Sequence, residues 1–303
     1  MKRVSLLLFL AALTASAADK KIVMIAGKPS HGPSEHEYRA GCLLVQKCLQ
    51  NVPGIKAEVY TNDWPQDPAA AFQGADAIFI FSTGGGGHPA IKPERLQMLK
   101  PLMDKGVGFG CAHYAVEVPK DKGGPEFLEW MGGYFEAYWS VNPHWDADFK
   151  SLPNHPVTRG VKPFKIRDEW YYHMRFPEGM KGVTPILSAV PPDATRGREG
   201  TRSSHGGNPE VFARKGRQEH VMWVFDRPNG GRGFGFTGAH FHKNWGEENF
   251  RKVVLNALLW MAKAEVPASG VNCEVTAEDL EQNLDPKGRP RPQPGATKPK
   301  PAE

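Results

Sequence analysis

Short apolar segments alternating with amphipathic helices predict an α/β fold, with a doubly wound, mostly parallel sheet flanked by helices. Two observations carry this. Residues 21–26 (KIVMIA) and 75–82 (ADAIFIFS) are continuous apolar runs, as strands covered on both faces require. Helical patterns separate the runs, as parallel neighbours joined by crossovers demand. The stretch 120–225 is less regular and rich in Trp, Tyr and Pro, and predicts a partly antiparallel extension.

The elements follow in order. Residues 21–26 form the first strand. Ser34 and Glu37 read as a capping box, opening a helix to about residue 52 with Leu43, Leu44, Cys48 and Leu49 on its apolar side. Residues 56–60 and 75–82 are the second and third strands. Pro93 opens a helix at its first position and Gly106 closes it. Residues 107–112 are the fourth strand. Residues 221–225 and 232–237 read as a late pair joined through a turn at 228–231. The helix 247–262 turns Phe250, Val254, Leu258 and Met261 inward.

Three regions result. Residues 1–17 combine Lys2 and Arg3, an apolar run and Ala15-Ser16-Ala17, the pattern of a cleaved secretory signal. The run is shorter than the roughly 20 residues a bilayer span needs. The expected location is therefore periplasmic or secreted, with no transmembrane segment. Residues 18–266 form one domain. Residues 267–303 read as a Pro/Lys-rich tail, largely disordered, whose pattern fades after Pro267 and which should be dispensable beyond about Asp285.

The formal net charge is +5. Lys2 and Arg3 leave with the signal, and the tail from residue 284 holds five basic residues against two acidic ones, so the body is neutral. A nucleic-acid partner would need a basic face, and none is expected. The four cysteines show neither paired nor zinc-ribbon spacing and read as small buried residues.

Open α/β sheets bind ligands beyond the carboxyl ends of their strands, and histidines gather there. His31 follows the first strand. The glycine run 84–87, with Gly85 and Gly86 at its centre, and His88 follow the third; the run lacks the spacing of a dinucleotide site. His113 and Tyr114 follow the fourth. His240 and His242 follow a late strand; an extended backbone would put both imidazoles on one side, a spacing that suits metal ligands, and they are the metal candidates. Trp245, three residues on, is a candidate to stack on a sugar ring, the alternative being plain core. In Asp168-Glu169-Trp170-Tyr171-Tyr172-His173, alternation puts Glu169, Tyr171 and His173 on one face; the alternative for the carboxylates is an ion pair with Arg175. Cys111, at a strand end, is where a nucleophile elbow places its residue.

Residues 32–41 (GPSEHEYRAG), 106–116 (GVGFGCAHYAV), 168–172 (DEWYY) and 238–262 (GAHFHKNWGEENFRKVVLNALLWMA) resemble the ThuA-like, or trehalose utilisation, family. The likeness runs from residue 21 to about 265. It implies a class I glutamine amidotransferase-like, flavodoxin-like fold, and carbohydrate metabolism involving 3-keto sugars. It places His113, Glu169, His240 and His242 on the family's polar positions. Glutamine hydrolysis is not implied: His113 stands where amidotransferases have the second glycine of their nucleophile turn, and His240-x-His242 replaces their His-x-Glu. The expectation is an enzyme of lyase, hydrolase or isomerase type acting on a keto-sugar or 3-keto-glycoside. His113, Glu169, His240 and His242 would do the acid–base chemistry, aided by a divalent metal if one is bound. His31, Gly85, Gly86, His88, Tyr114, Tyr171, His173 and Trp245 would line the substrate site. The alternatives are a sugar-binding module without turnover and a cysteine-dependent hydrolase built on Cys111. The partner is a small carbohydrate; the sequence sets no oligomeric state.

Overall fold

The computed structural model describes residues 19–201 and 203–288. The expected signal segment and the chain beyond residue 288 lie outside them. Strand β1 (Lys20–Ala26) leads through a long loop to α1 (Tyr38–Leu49), then β2 (Ile55–Tyr60), α2 (Pro68–Phe72), β3 (Ala77–Phe81), α3 (Pro93–Asp104), β4 (Gly108–Ala112) and α4 (Gly124–Met131). A hairpin-like pair β5 (His144–Phe149) and β6 (Phe164–Glu169) follows. Then come β7 (Val183–Ala189), α5 (Pro209–Phe212), β8 (Glu219–Asp226), β9 (Arg232–Phe236), α6 (Glu248–Met261) and α7 (Ala277–Glu281).

Seven strands form one mixed sheet in the order β2-β1-β3-β4-β9-β8-β7. Pairings from β2 through β9 are parallel, and β8 and β7 complete the sheet antiparallel. The two-stranded β5–β6 ribbon is the antiparallel extension expected from the irregular middle. The all-apolar strands are explained by two cores. Ile22, Met24, Phe79 and Phe81 pack with residues of α1 and α6, whereas Val23, Ile25, Ile78 and Ile80 pack with α3 and α4. Among the described residues no helix is long and apolar enough to cross a membrane.

Two local expectations are corrected. The Ser34 capping box is not formed: Ser34 has φ +64, and its N–H donates to Glu37 Oε1 at 3.0 Å, so α1 starts only at Tyr38. His31 (φ +61) and His36 (φ +47) are also left-handed. This loop is bent for the site rather than wound for the helix. The cysteines are not all small fillers, because Cys48 on α1 and Cys273 form a disulfide 225 residues apart in sequence.

The chain also keeps its order after Pro267. Lys47 pairs with Asp279 at 2.6 Å, and Arg39 donates to the Asn283 carbonyl. The Lys287 side chain is buried, donates to the carbonyls of Glu35 and His36, and pairs with Glu37 at 3.1 Å. Residues 273–287 are thus a strap fastened along α1 and across the loop that precedes it.

Candidate metal centre at the carboxyl edge

The loops after β1, β3, β4 and β9 meet at one edge of the sheet, where the strand order switches. The loop after β3 passes so close to the turn after β4 that a Cβ on Gly84 would lie 1.9 Å from the Tyr114 carbonyl oxygen; only glycine fits. His113 follows β4 with φ +52, a conformation that costs a non-glycine residue about 1–3 kcal/mol and concentrates at functional sites. Its Nδ1 faces the Thr237 carbonyl at 2.9 Å, an atom that only accepts. Nδ1–H therefore donates there, and Nε2 points inward.

His240 is set by a buried carboxylate. Asp168, with no exposed surface, accepts the backbone N–H of Ala239 at 2.8 Å and of His240 at 3.0 Å, and an Asn244 amide hydrogen at 2.9 Å. These bonds hold Ala239 at φ +87. His36 arrives by a short antiparallel bridge: its N–H donates to the His240 carbonyl, and the His242 N–H donates to the Ser34 carbonyl, both at 2.9 Å.

Four donors converge. His36 Nε2 lies 2.9 Å from both His113 Nε2 and His240 Nδ1. Glu169 Oε2 lies 3.0 Å from His240 Nδ1 and 3.4 Å from His113 Nε2. One ligand atom from each residue falls within 4.8 Å of all the others. Tyr171 Oη sits 3.4 Å from His113 Nε2 and 3.3 Å from Glu169 Oε2. His36 Nδ1 contacts the Tyr38 hydroxyl at 2.7 Å. Burial, reinforced by the neighbouring His113 and His31 rings, pushes His36 far below its ordinary pKa and keeps it neutral. Burial alone would raise Glu169, but hydrogen bonds with His113 and His240 hold it well below the usual carboxylate range. Burial works against a charged His240, and Glu169 outweighs it to give a net rise.

This donor set fits a divalent transition metal. Bonds of about 2.0–2.1 Å in tetrahedral geometry place ligand atoms about 3.3 Å apart, and the separations found here bracket that value. Three inward imidazole nitrogens and a carboxylate oxygen cannot all be satisfied by the few protons available between them. A cation satisfies all four together.

The other anticipated residues divide. His31 stacks on His36 with ring centres 3.6 Å apart, and Tyr114 lies 5.9 Å from His36, so both stand at the mouth. Gly85 and Gly86 form the turn beside Tyr114. His242 is not in the cluster. β9 stops at Phe236, the chain bends at His240, and His242 begins a 3-10 turn, so its ring does not join that of His240. It is buried toward Glu37 and Lys287, and burial lowers it to about 4. His88 is buried as a cap, accepting the Ala90 N–H on Nδ1. His173 leaves the face of Glu169 because its φ is +57; it stacks on Trp139, 4.4 Å between ring centres. Trp245 is core, edge-on to Phe81 and Phe250. Arg175 pairs with Glu136, not with Asp168 or Glu169.

The family model of ThuA, trehalose utilisation, matches residues 23–261. The chain belongs to the ThuA family. It is similar to the solved structure of a ThuA-like protein from Bacteroides uniformis, with TM-score 0.60 and 17% identity over 84% of this chain and 95% of that one. A ThuA-like protein from Parabacteroides merdae aligns with TM-score 0.52 and 14% identity, over 86% of this chain and 94% of that one. No curated protein matches the sequence.

In this ThuA-family chain Cys111 lies inside β4 with no exposed surface, and burial pushes its thiol well above the ordinary value. A nucleophile needs the thiolate and access to it, and Cys111 has neither. Sequence reasoning missed His36, the central donor, having read its segment as a helix cap. It also missed His144, whose Nε2 lies 3.8 Å from Glu169 Oε1. The positive φ values of the loop carry no sequence signal beyond its density of Gly, Ser and His.

Proposed function

We propose that this chain is an exported, metal-dependent enzyme that removes a proton next to the carbonyl of a keto-sugar or 3-keto-glycoside. The convergence of His36, His113, His240 and Glu169 carries the reading. The family supports a carbohydrate substrate. The basic–apolar–small pattern of residues 1–17 supports export, and so does the disulfide, a bond favoured in oxidising compartments.

A bound divalent cation would supply Lewis-acid polarisation of a substrate oxygen at this centre. His36, His113, His240 and Glu169 would hold it. Thr237, Tyr38 and Asp168 orient the ligands, as outer partners of metal-binding histidines do. Tyr171 is placed to donate to a developing oxyanion, since burial keeps its hydroxyl protonated far above neutrality. His31, Tyr114 and His144 surround the opening with rings and hydrogen-bonding groups suited to a sugar.

The test is deuterium wash-in from solvent at the carbon beside the ketone of a 3-keto-glucoside, with metal-loaded protein. Wash-in with the keto-sugar and none with the parent glucoside supports the reading. Binding of both without exchange would make the protein a sugar-binding module.

A further inference from the structure

Once Glu169 and three histidines are committed as ligands, their ligating lone pairs cannot take a proton from carbon, and the second Glu169 oxygen, Oε1, already accepts from the Asn142 amide at 3.1 Å. The base must come from elsewhere around the opening. Two carboxylates stand there. Glu35 Oε1 lies 3.7 Å from His240 Nε2, and Glu35 Oε2 already accepts the Gly32 N–H. Glu117 follows the His113 turn, beside Gly85 and Tyr114.

Glu117 is only 7% exposed, yet its one ion-pair partner among the described residues is His205, whose Nε2 lies 3.6 Å from Oε2. A ring ladder leads from there to the metal centre: His205 to Phe135 at 5.6 Å, Phe135 to Tyr171 at 5.3 Å and Tyr171 to His113 at 4.8 Å. Both Glu117 and Glu169 act electrostatically on His205, Tyr114 and Tyr171.

The glycine run gives the independent observation. The Gly85 N–H donates to the Glu117 backbone carbonyl at 2.9 Å. A Cβ on Gly85 would lie 3.3 Å from Glu117 Oε1 and 3.6 Å from the Tyr114 hydroxyl. A side chain there would fill the space in front of the carboxylate. Glycine, also suited to the φ of +57, keeps that space open to a ligand.

We propose that Glu117 and His205 are the proton-transfer pair for a carbonyl substrate held at the metal centre. This rests on the keto-sugar reading. Glu117 takes the proton from the carbon next to the carbonyl, and the C–H electron pair moves into the new C=C bond as charge develops on the carbonyl oxygen. Where the next carbon carries an oxygen leaving group, the carbonyl reforms, the C=C electron pair shifts to make a double bond to that carbon, its C–O bond breaks, and the departing oxygen receives a proton from the His205 imidazolium. The proton on Glu117 then passes to His205, which resets the pair without any further reactant. The contact with Glu117 outweighs burial and raises the His205 pKa, which favours the imidazolium this step needs.

The experiment measures solvent deuterium wash-in and alcohol release from a 3-keto-glucoside, alongside metal content, for the full chain and its Glu117→Gln, Glu117→Asp, His205→Gln and Glu35→Gln variants. Glu117→Gln is expected to lower wash-in at least about 100-fold with metal content unchanged. Glu117→Asp should restore part of it, and His205→Gln should slow alcohol release more than wash-in. Wild-type wash-in by Glu117→Gln, its abolition by Glu35→Gln instead, or loss of metal from Glu117→Gln overturns the assignment while leaving the keto-sugar reading intact. A metal-loaded wild-type protein that exchanges nothing overturns both.

Discussion

Lys287 pairs with Glu37 at 3.1 Å, both side chains almost completely buried, and its ammonium also reaches the carbonyls of Glu35 and His36. A residue near the end of the described chain therefore holds the loop that carries the central histidine. Asp285 adds its N–H to Glu37 Oε2 at 2.8 Å.

Lys287→Met should accordingly weaken both the fold and the metal centre. Removing one partner of a buried pair leaves the other uncompensated, at about 3–5 kcal/mol. Thermal unfolding should shift down by several degrees, and metal affinity should fall. An unchanged midpoint would mean that the strap does not bear on the loop.

Asp168→Asn tests the support of His240. The carboxylate accepts four N–H groups, those of Glu169 and His240 on one oxygen and those of Ala239 and Asn244 on the other; an amide cannot accept all four, and each orphaned buried donor costs about 1–3 kcal/mol. Metal affinity should drop about 10–100-fold, as for other outer-shell partners, with a smaller loss of thermal stability. Equal metal affinity in variant and wild type would show that the Ala239–His240 turn stands without Asp168.

Cys111→Ala should retain activity, at a stability cost of about 1 kcal/mol. A loss of a thousandfold or more in kcat/KM with the fold intact would restore the cysteine hydrolase.

Much of this organisation was legible because it depends on short-range pattern. Apolar strands announced a covered parallel sheet, and the strand ends placed His113 and His240 at one edge. Alternation put Glu169 and Asp168 on opposite faces, while the place of Glu169 beside the histidines came from the family resemblance. The failures have physical causes. His36 enters through a bridge between segments about 200 residues apart, on a loop with three left-handed non-glycine residues, and neither feature leaves a periodic trace. His242 was misplaced because an extended backbone was assumed where the chain turns into a 3-10 helix. The Cys48–Cys273 bond and the Lys287 strap are long-range contacts that composition cannot show.

The Glu136 pair predicts a pH dependence. Burial would raise this carboxyl, but hydrogen bonds from Arg175 and Tyr134 overcome it and hold it below its ordinary 4.5. A depressed folded pKa gives stability that is fully present above the unfolded value and lost as pH falls toward the folded one. The stability gap between wild type and Glu136→Gln should be constant above about pH 5.5 and narrow below 4.5. A gap that widens on acidification would contradict the assignment. Urea unfolding at a series of pH values measures it.

The central claim is that His36, His113, His240 and Glu169 hold a divalent metal, and metal content tests it most directly. Protein purified without chelator, beside its His36→Gln variant, is assayed by elemental analysis and then titrated with Zn²⁺ and Mn²⁺ after stripping. The account predicts about one metal per wild-type chain and at least a tenfold weaker affinity in the variant. A wild-type protein that neither carries nor takes up metal, or a His36→Gln variant that binds it equally well, would contradict it.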